Sequence, residues 1–159
     1  MTSALTQNKT LWWLFTLTLV LTIAFGVVMQ IWDFVLIDEM FNAEQISNHI
    51  DALSATQKQV HIWTTVTLDV VYPFAYAGLF AGLTLKAFGK TGTWLALPII
   101  LCVPVDLTEG FAQVMLLSDN ASYMNLKTAM TPVKLGLFVF GLIVALVSLG
   151  KLYRARKLV

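Results

Sequence analysis

The stretch from Thr93 to Leu117, TWLALPIILCVPVDLTEGFAQVMLL, decides the fold class. It is long and apolar enough to cross the roughly 30 Å hydrocarbon core of a bilayer, yet it carries two carboxylates, Asp106 and Glu109. Three further stretches match it: Leu11 to about Gln30, about Trp63 to Leu85, and Ala129 to Gly150. Backbone groups in lipid need internal partners, so each reads as a helix. Ala24-Phe25-Gly26 weakly suggests a cleavage site for a signal peptide, but the first apolar run continues past it and reads as an uncut anchor. The expectation is an all-α, integral membrane four-helix antiparallel bundle, a single domain over residues 1–159.

Composition agrees. The 159 residues are 58% hydrophobic and only 12% charged, against roughly 25% charged in an average soluble domain, with a mean hydropathy of +0.77. Such a chain is not a disordered or nucleic-acid-binding protein, and most soluble enzyme classes are excluded. The single cysteine, Cys102, excludes an internal disulfide framework, a zinc ribbon and a CxxC centre. No phosphate loop, dinucleotide fingerprint or nucleophile elbow occurs, so no cofactor is expected.

Positive charge fixes the expected orientation. Lys9, Lys86, Lys90, Lys151, Arg154, Arg156 and Lys157 fall on one side. Lys58 and Lys127 lie on the other, with Asp38, Glu39, Glu44, Asp51 and Asp119. Both termini are therefore expected in the cytoplasm, in a bacterial inner membrane. Between spans one and two, Asn42 with Gln45 reads as a helix cap, and Ile46, Ile50 and Leu53 recur at helical spacing. A short amphipathic helix is expected on the outer side. Ser54 with Gln57 repeats the capping pattern and starts the second long helix near Ala55.

Asp69, Asp106, Glu109 and Lys134 interrupt the apolar runs. Each costs about 2.5–3.5 kcal/mol at a helix centre, so each is a candidate functional group. At a rise of about 1.5 Å per residue from the cytoplasmic ends, Asp69, Glu109 and Lys134 reach one level, at about 24–25 Å; Gln30 arrives at about 28 Å. Asp106 is one turn deeper. Asp106, Glu109 and Gln113 share one stripe of the third helix, Asp69, Tyr72 and Tyr76 share one of the second, and Thr131 precedes Lys134 by one turn. Lys134 can offset only one of the three carboxylates, so another is expected to hold a proton or an outside cation. Pro73, Pro104 and Pro132 lie close to these charges and free backbone carbonyls beside them, whereas Pro98 reads as an ordinary kink. A purely structural polar layer is the alternative reading.

Gly78 and Gly82 form a small-residue face suited to close packing within the chain, and also to a homodimer. His49, His61 and Asp51 lack a metal-ligand spacing and read as solvated surface groups, so no metal is expected.

The segment Leu68 to Ala77, the pair Asp106-x-x-Glu109 and the pair Thr131-x-x-Lys134 resemble small bacterial four-span membrane proteins. Those proteins carry an LDxxFPxxYG-like second helix, a DxxEN-like third and a TxxK start to the fourth. Tyr72 stands here for their phenylalanine and Gly110 for their asparagine. The resemblance implies a recurring set of residues and brings no activity with it.

The functional expectation is a site for a lipid-like or isoprenoid-like small molecule, among membrane lipids and without nucleic acid. Asp69 and Glu109 would serve as acid or base and Lys134 would orient the substrate. Gln30, Tyr72, Tyr76, Asp106, Gln113 and Thr131 would line the pocket. The alternatives are a proton- or cation-coupled small transporter and an assembly partner for another membrane subunit.

Overall fold

The computed structural model describes residues 4–157, apart from the side chains of Glu39 and Arg156. Every regular element among them is a helix. A 3-10 turn, Ala4–Thr6, leads into α1, Asn8–Trp32. A second 3-10 turn, Ile37–Glu39, and the short helix α2, Ala43–Ala52, cross to α3, Ala55–Phe88. Helix α4 covers Lys90–Leu117, and after the turn Ala121–Tyr123, α5 covers Met124–Lys157. Among the described residues, four helices are long and apolar enough to cross a membrane: α1, α3, α4 and the segment containing α5. The expected spans fall inside them, and α2 lies where the outer helix was expected.

The local reasons are visible at the helix ends. Asn42 accepts the backbone N–H of Gln45 and starts α2, whose Ile46 and Ile50 are buried. Ser54 and Gln57 form a reciprocal capping box that starts α3. The Gln57 amide also donates to the carbonyls of Trp32 and Asp33, which ties the end of α1 to the beginning of α3. Only Gly89 separates α3 from α4, and its φ of +56° is one that a side chain disfavours.

Helix α3 changes pitch on the way. Residues Thr65–Asp69 form a π turn, just before the buried Pro73. Pro73 has no N–H for the carbonyl of Asp69, and its ring would press on that carbonyl in a regular helix. Widening the turn relieves the contact and re-aims Asp69, as π bulges do at functional sites.

Helix α4 packs against both α3 and α5, and α1 rests on α3. The Gly78 and Gly82 face is used within the chain. A Cβ on Gly82 would come within 2.6 Å of the Leu5 carbonyl, and one on Gly78 within 3.3 Å of Leu14. At Gly92 a Cβ would approach the Thr84 carbonyl to 2.7 Å. Because that neighbour is backbone, Gly92→Ala is expected to destabilise the fold by about 1–3 kcal/mol, read from thermal melts in detergent.

Two apolar clusters bracket a polar layer along α4. One includes Tyr76, Phe80, Ile99, Cys102 and Ala145, and the other Ile37, Ile46, Ile50, Leu116 and Leu117. The outward surface is apolar too. Trp94 is 77% exposed, Ile31 69% and Leu146 58%, far from what water would favour.

Candidate functional site

The polar layer is built from stripes on three long helices and from one turn that folds back over them. On α5, Lys127, Thr131 and Lys134 are spaced i, i+4, i+7 and therefore share a face. On α4, Asp106, Glu109 and Gln113 are buried on one face. The third stripe, Asp69 with Tyr72 and Tyr76, comes from α3. The fourth contribution is Asp38, in the 3-10 turn after α1. Its neighbour Ile37 is fully buried in the apolar cluster it shares with Ile46 and Leu116, and that insertion carries Asp38 inward.

Glu109 is the hub. Its Oε1 accepts Lys127 Nζ at 2.6 Å and Thr131 Oγ1 at 2.5 Å, and its Oε2 is ion-paired with Lys134. Lys134 Nζ also reaches Asp38 Oδ1 at 2.8 Å and Asp106 Oδ1 at 3.5 Å. Lys127 has no exposed side-chain surface. It donates further to Thr131 Oγ1 at 2.7 Å and to the carbonyls of Met40 and Asp38 at 2.9 and 3.3 Å. Lys127 therefore holds the turn that carries Asp38 onto α5. The Tyr76 hydroxyl donates to Asp106 Oδ2 at 2.8 Å and lies 3.2 Å from Cys102 Sγ, so the buried thiol is part of the packing around the layer.

Two of these residues correct the sequence reading. By sequence, Lys134 is the only cation in the layer, and Lys127 and Asp38 fall on the outer side, beyond the apolar runs. The structure buries Lys127, because α5 begins at Met124, a turn and a half before the apolar run. The i, i+4, i+7 pattern of Lys127, Thr131 and Lys134 is the clue that could have found it. For Asp38 no local pattern exists, since its place depends on the fold-back of Ile37.

Gln30 is a second correction. It is exposed, because the inward stripe of α1 is Thr22, Gly26 and Met29, and Gln30 is turned about 100° from Met29. His61 is a third. Instead of being solvated it is fully buried against the Phe34 ring at 5.3 Å, and neither ring nitrogen has a hydrogen-bond partner among the described residues.

A cavity of about 600 Å³ opens between α1, the 35–40 turn segment and the faces of α3 and α4. Phe25, Met29, Val35, Leu36 and Met40 supply apolar walls. Its polar side is formed by Asp38, Asp69, Gln113, Thr65 and Tyr72, with Tyr72 bonded to Thr22 at 3.1 Å. Of the nine sequence-proposed residues, Asp69, Tyr72 and Gln113 line this cavity, whereas Asp106 lines a smaller one. Glu109, Lys134, Tyr76 and Thr131 line neither and form the network behind the floor.

Asp69 differs from its neighbours. Its carboxyl makes no hydrogen bond or ion pair among the described residues, although one oxygen each of Asp38, Asp69 and Asp106 lie within 4.8 Å of one another. Two of these three carboxyls, Asp38 and Asp106, are ion-paired with Lys134. Asp38 is not the group that carries the excess charge. Burial raises its carboxyl, but the charge and hydrogen bond of Lys134, with Gln113 and Lys127, outweigh that and hold it below its ordinary value of 3.8. Four carboxyls thus face two ammonium groups, and the unpaired one borders the cavity.

Comparisons of the chain with family models, with curated proteins and with solved structures find no match. The chemistry of the site is therefore read from its own geometry.

Proposed function

We propose that this chain is a multi-pass membrane protein of the bacterial inner membrane that binds an apolar or amphiphilic small molecule at the Asp69 cavity. The carrying observation is the cavity itself, about 600 Å³ with apolar walls and a floor of acceptors. Ligand sites combine those features, a mostly apolar lining and a few convergent polar groups. The floor favours a ligand head that donates hydrogen bonds or carries positive charge, since both site lysines are held by carboxylates. An anionic head would face Asp38 and Asp69. Asp69, the carboxyl without a partner, is the group that would exchange a proton with the ligand. Lys134 and Glu109 then act by positioning Asp38 and Asp106, not by touching the ligand.

Burial of the charges between helices argues against a docking protein, which would present them on an outer helix face. Gly26 offers a clean test. It lines the cavity, and a Cβ there meets nothing within 4 Å. Gly26→Leu is expected to keep one cooperative melt, lowered only by the lost contribution of the bound molecule, and to remove a co-purifying amphiphile, read by mass spectrometry of small molecules extracted from the detergent-purified protein. Undiminished retention in the variant would contradict the reading.

The four long helices are proposed to cross the membrane antiparallel, with both termini cytoplasmic. Lys86, Lys90, Lys151, Arg154 and Lys157 support this side for the α3–α4 turn and the end of α5. Cysteines introduced as Asn48→Cys and Ala155→Cys fall on exposed positions, while Cys102 is buried and silent. An impermeant maleimide added to whole spheroplasts is expected to label the first and spare the second. The reverse pattern would invert the topology.

A further inference from the structure

The side-chain donors on the floor of the larger cavity are spent almost entirely on the protein itself. The Thr65 hydroxyl donates to the His61 carbonyl at 3.1 Å. The Thr22 hydroxyl donates to the Thr18 carbonyl at 2.9 Å, so in the 3.1 Å bond between Thr22 and Tyr72 it is Tyr72 that donates. The amide nitrogen of the buried Gln113 donates to Asp38 Oδ1 at 2.7 Å with one hydrogen to spare, and its Oε1 accepts from no described residue. Gln45, the other lining amide, is exposed. No cationic side chain stands among the described lining residues. What the floor side chains have left to offer is lone pairs, on Asp38, Asp69, Gln113, Thr65 and Tyr72.

We infer that the head held at this floor is a primary ammonium, so that the ligand is a protonated alkyl amine. The inference rests on the ligand-binding reading of the cavity and narrows it, since that reading admits a neutral donor as well as a cation. Two observations select the ammonium. The first is spacing: one oxygen of Asp38 and one of Asp69 lie within 4.8 Å of each other, and both residues line the cavity. A charged N–H···O bond spans about 2.7–2.9 Å, so a single nitrogen can reach both oxygens and keep a third N–H for Gln113 or Tyr72. The second is charge: Lys134 is shared among Asp38, Asp106 and Glu109, and Lys127 is held by Glu109, which leaves Asp69 without a cation. An alcohol brings one donor and no charge. A trimethylammonium brings the charge, but its methyl groups carry no donor and hold the nitrogen off. A ketone brings neither, and its oxygen would face the carboxylates.

The experiment titrates the detergent-solubilised protein with dodecylamine, dodecyltrimethylammonium and 2-tetradecanone, three probes with one twelve-carbon chain, and takes affinity from the thermal shift. Partition into the micelle is common to all variants, so changes in the ratio of two affinities report the protein. Wild type is expected to prefer dodecylamine to dodecyltrimethylammonium by at least about tenfold, the worth of one hydrogen bond to a charged group, and to ignore the ketone. Asp69→Asn keeps the shape of the side chain, removes its charge and adds two donors. It is expected to bring the two cations to within about twofold of each other. Tyr72→Phe removes one acceptor, leaves both carboxylates, and is expected to keep the preference for the amine. Gly26→Leu is expected to abolish binding of every probe. Equal affinity of the two cations for wild type, an undiminished preference in Asp69→Asn, or tighter binding of the ketone than of the amine would overturn the ammonium assignment while leaving the cavity a ligand site. No shift of wild type with any of the three probes, or full binding by Gly26→Leu, would overturn the ligand-binding reading itself.

Discussion

Replacing Lys127 by Met is expected to destabilise the protein by about 3–5 kcal/mol, the usual consequence of removing one partner of a fully buried ion pair. The variant leaves Glu109 Oε1 with only Thr131, and leaves the carbonyls of Asp38 and Met40 without their ammonium donor. The turn that carries Asp38 would lose its tie to α5. Lys58→Met is the contrast. Its partner Asp119 is 83% exposed, and the pair is worth about 0–1 kcal/mol. Melts of both variants in the same detergent check the difference. Similar small shifts in the two would mean that Lys127 is not the anchor described here.

The Lys127 network also shows where sequence reasoning ran out. Hydropathy and helix caps give the four long helices, the short helix α2 and the start of α3, because those features are local. The pairing of Lys134 with Glu109 and Asp106 was legible as well, since equal depths and i, i+3 stripes are helical geometry. Lys127 and Asp38 were not legible by hydropathy, which ends a span where charge begins. Yet α5 extends beyond its apolar window, and Ile37 pulls a polar turn back onto the helices. Gln30 failed for a smaller reason. Its depth was reasonable, but depth does not fix direction, and one residue of phase turned it outward. His61 reads as solvated because it lies before the second apolar run and lacks a metal-ligand spacing, whereas in the fold Phe34 covers it.

Replacing Lys134, Asp69 and Glu109 together by apolar residues would leave Lys127 buried without its carboxylate. Replacing Asp69 alone separates packing from ligand binding. Asp69 has no hydrogen-bond or ion-pair partner to orphan among the described residues, and two other carboxylates lie within 4.8 Å of it. Asp69→Leu is expected to be as stable as the parent or about 1 kcal/mol more stable, because relaxing a strained functional group commonly stabilises a fold. The same variant is expected to lose its ligand altogether.

The central claim is that Asp69 serves a bound amphiphile and not the packing of the helices. The most direct measurement purifies wild type and Asp69→Leu side by side in one mild detergent. It records the melting temperature of each and identifies the extracted small molecules by mass spectrometry. The predicted result is a near-stoichiometric amphiphile on wild type, none on the variant, and an equal or higher melting temperature for the variant. The same molecule in the same amount on both proteins, or no retained amphiphile on wild type, would contradict the account.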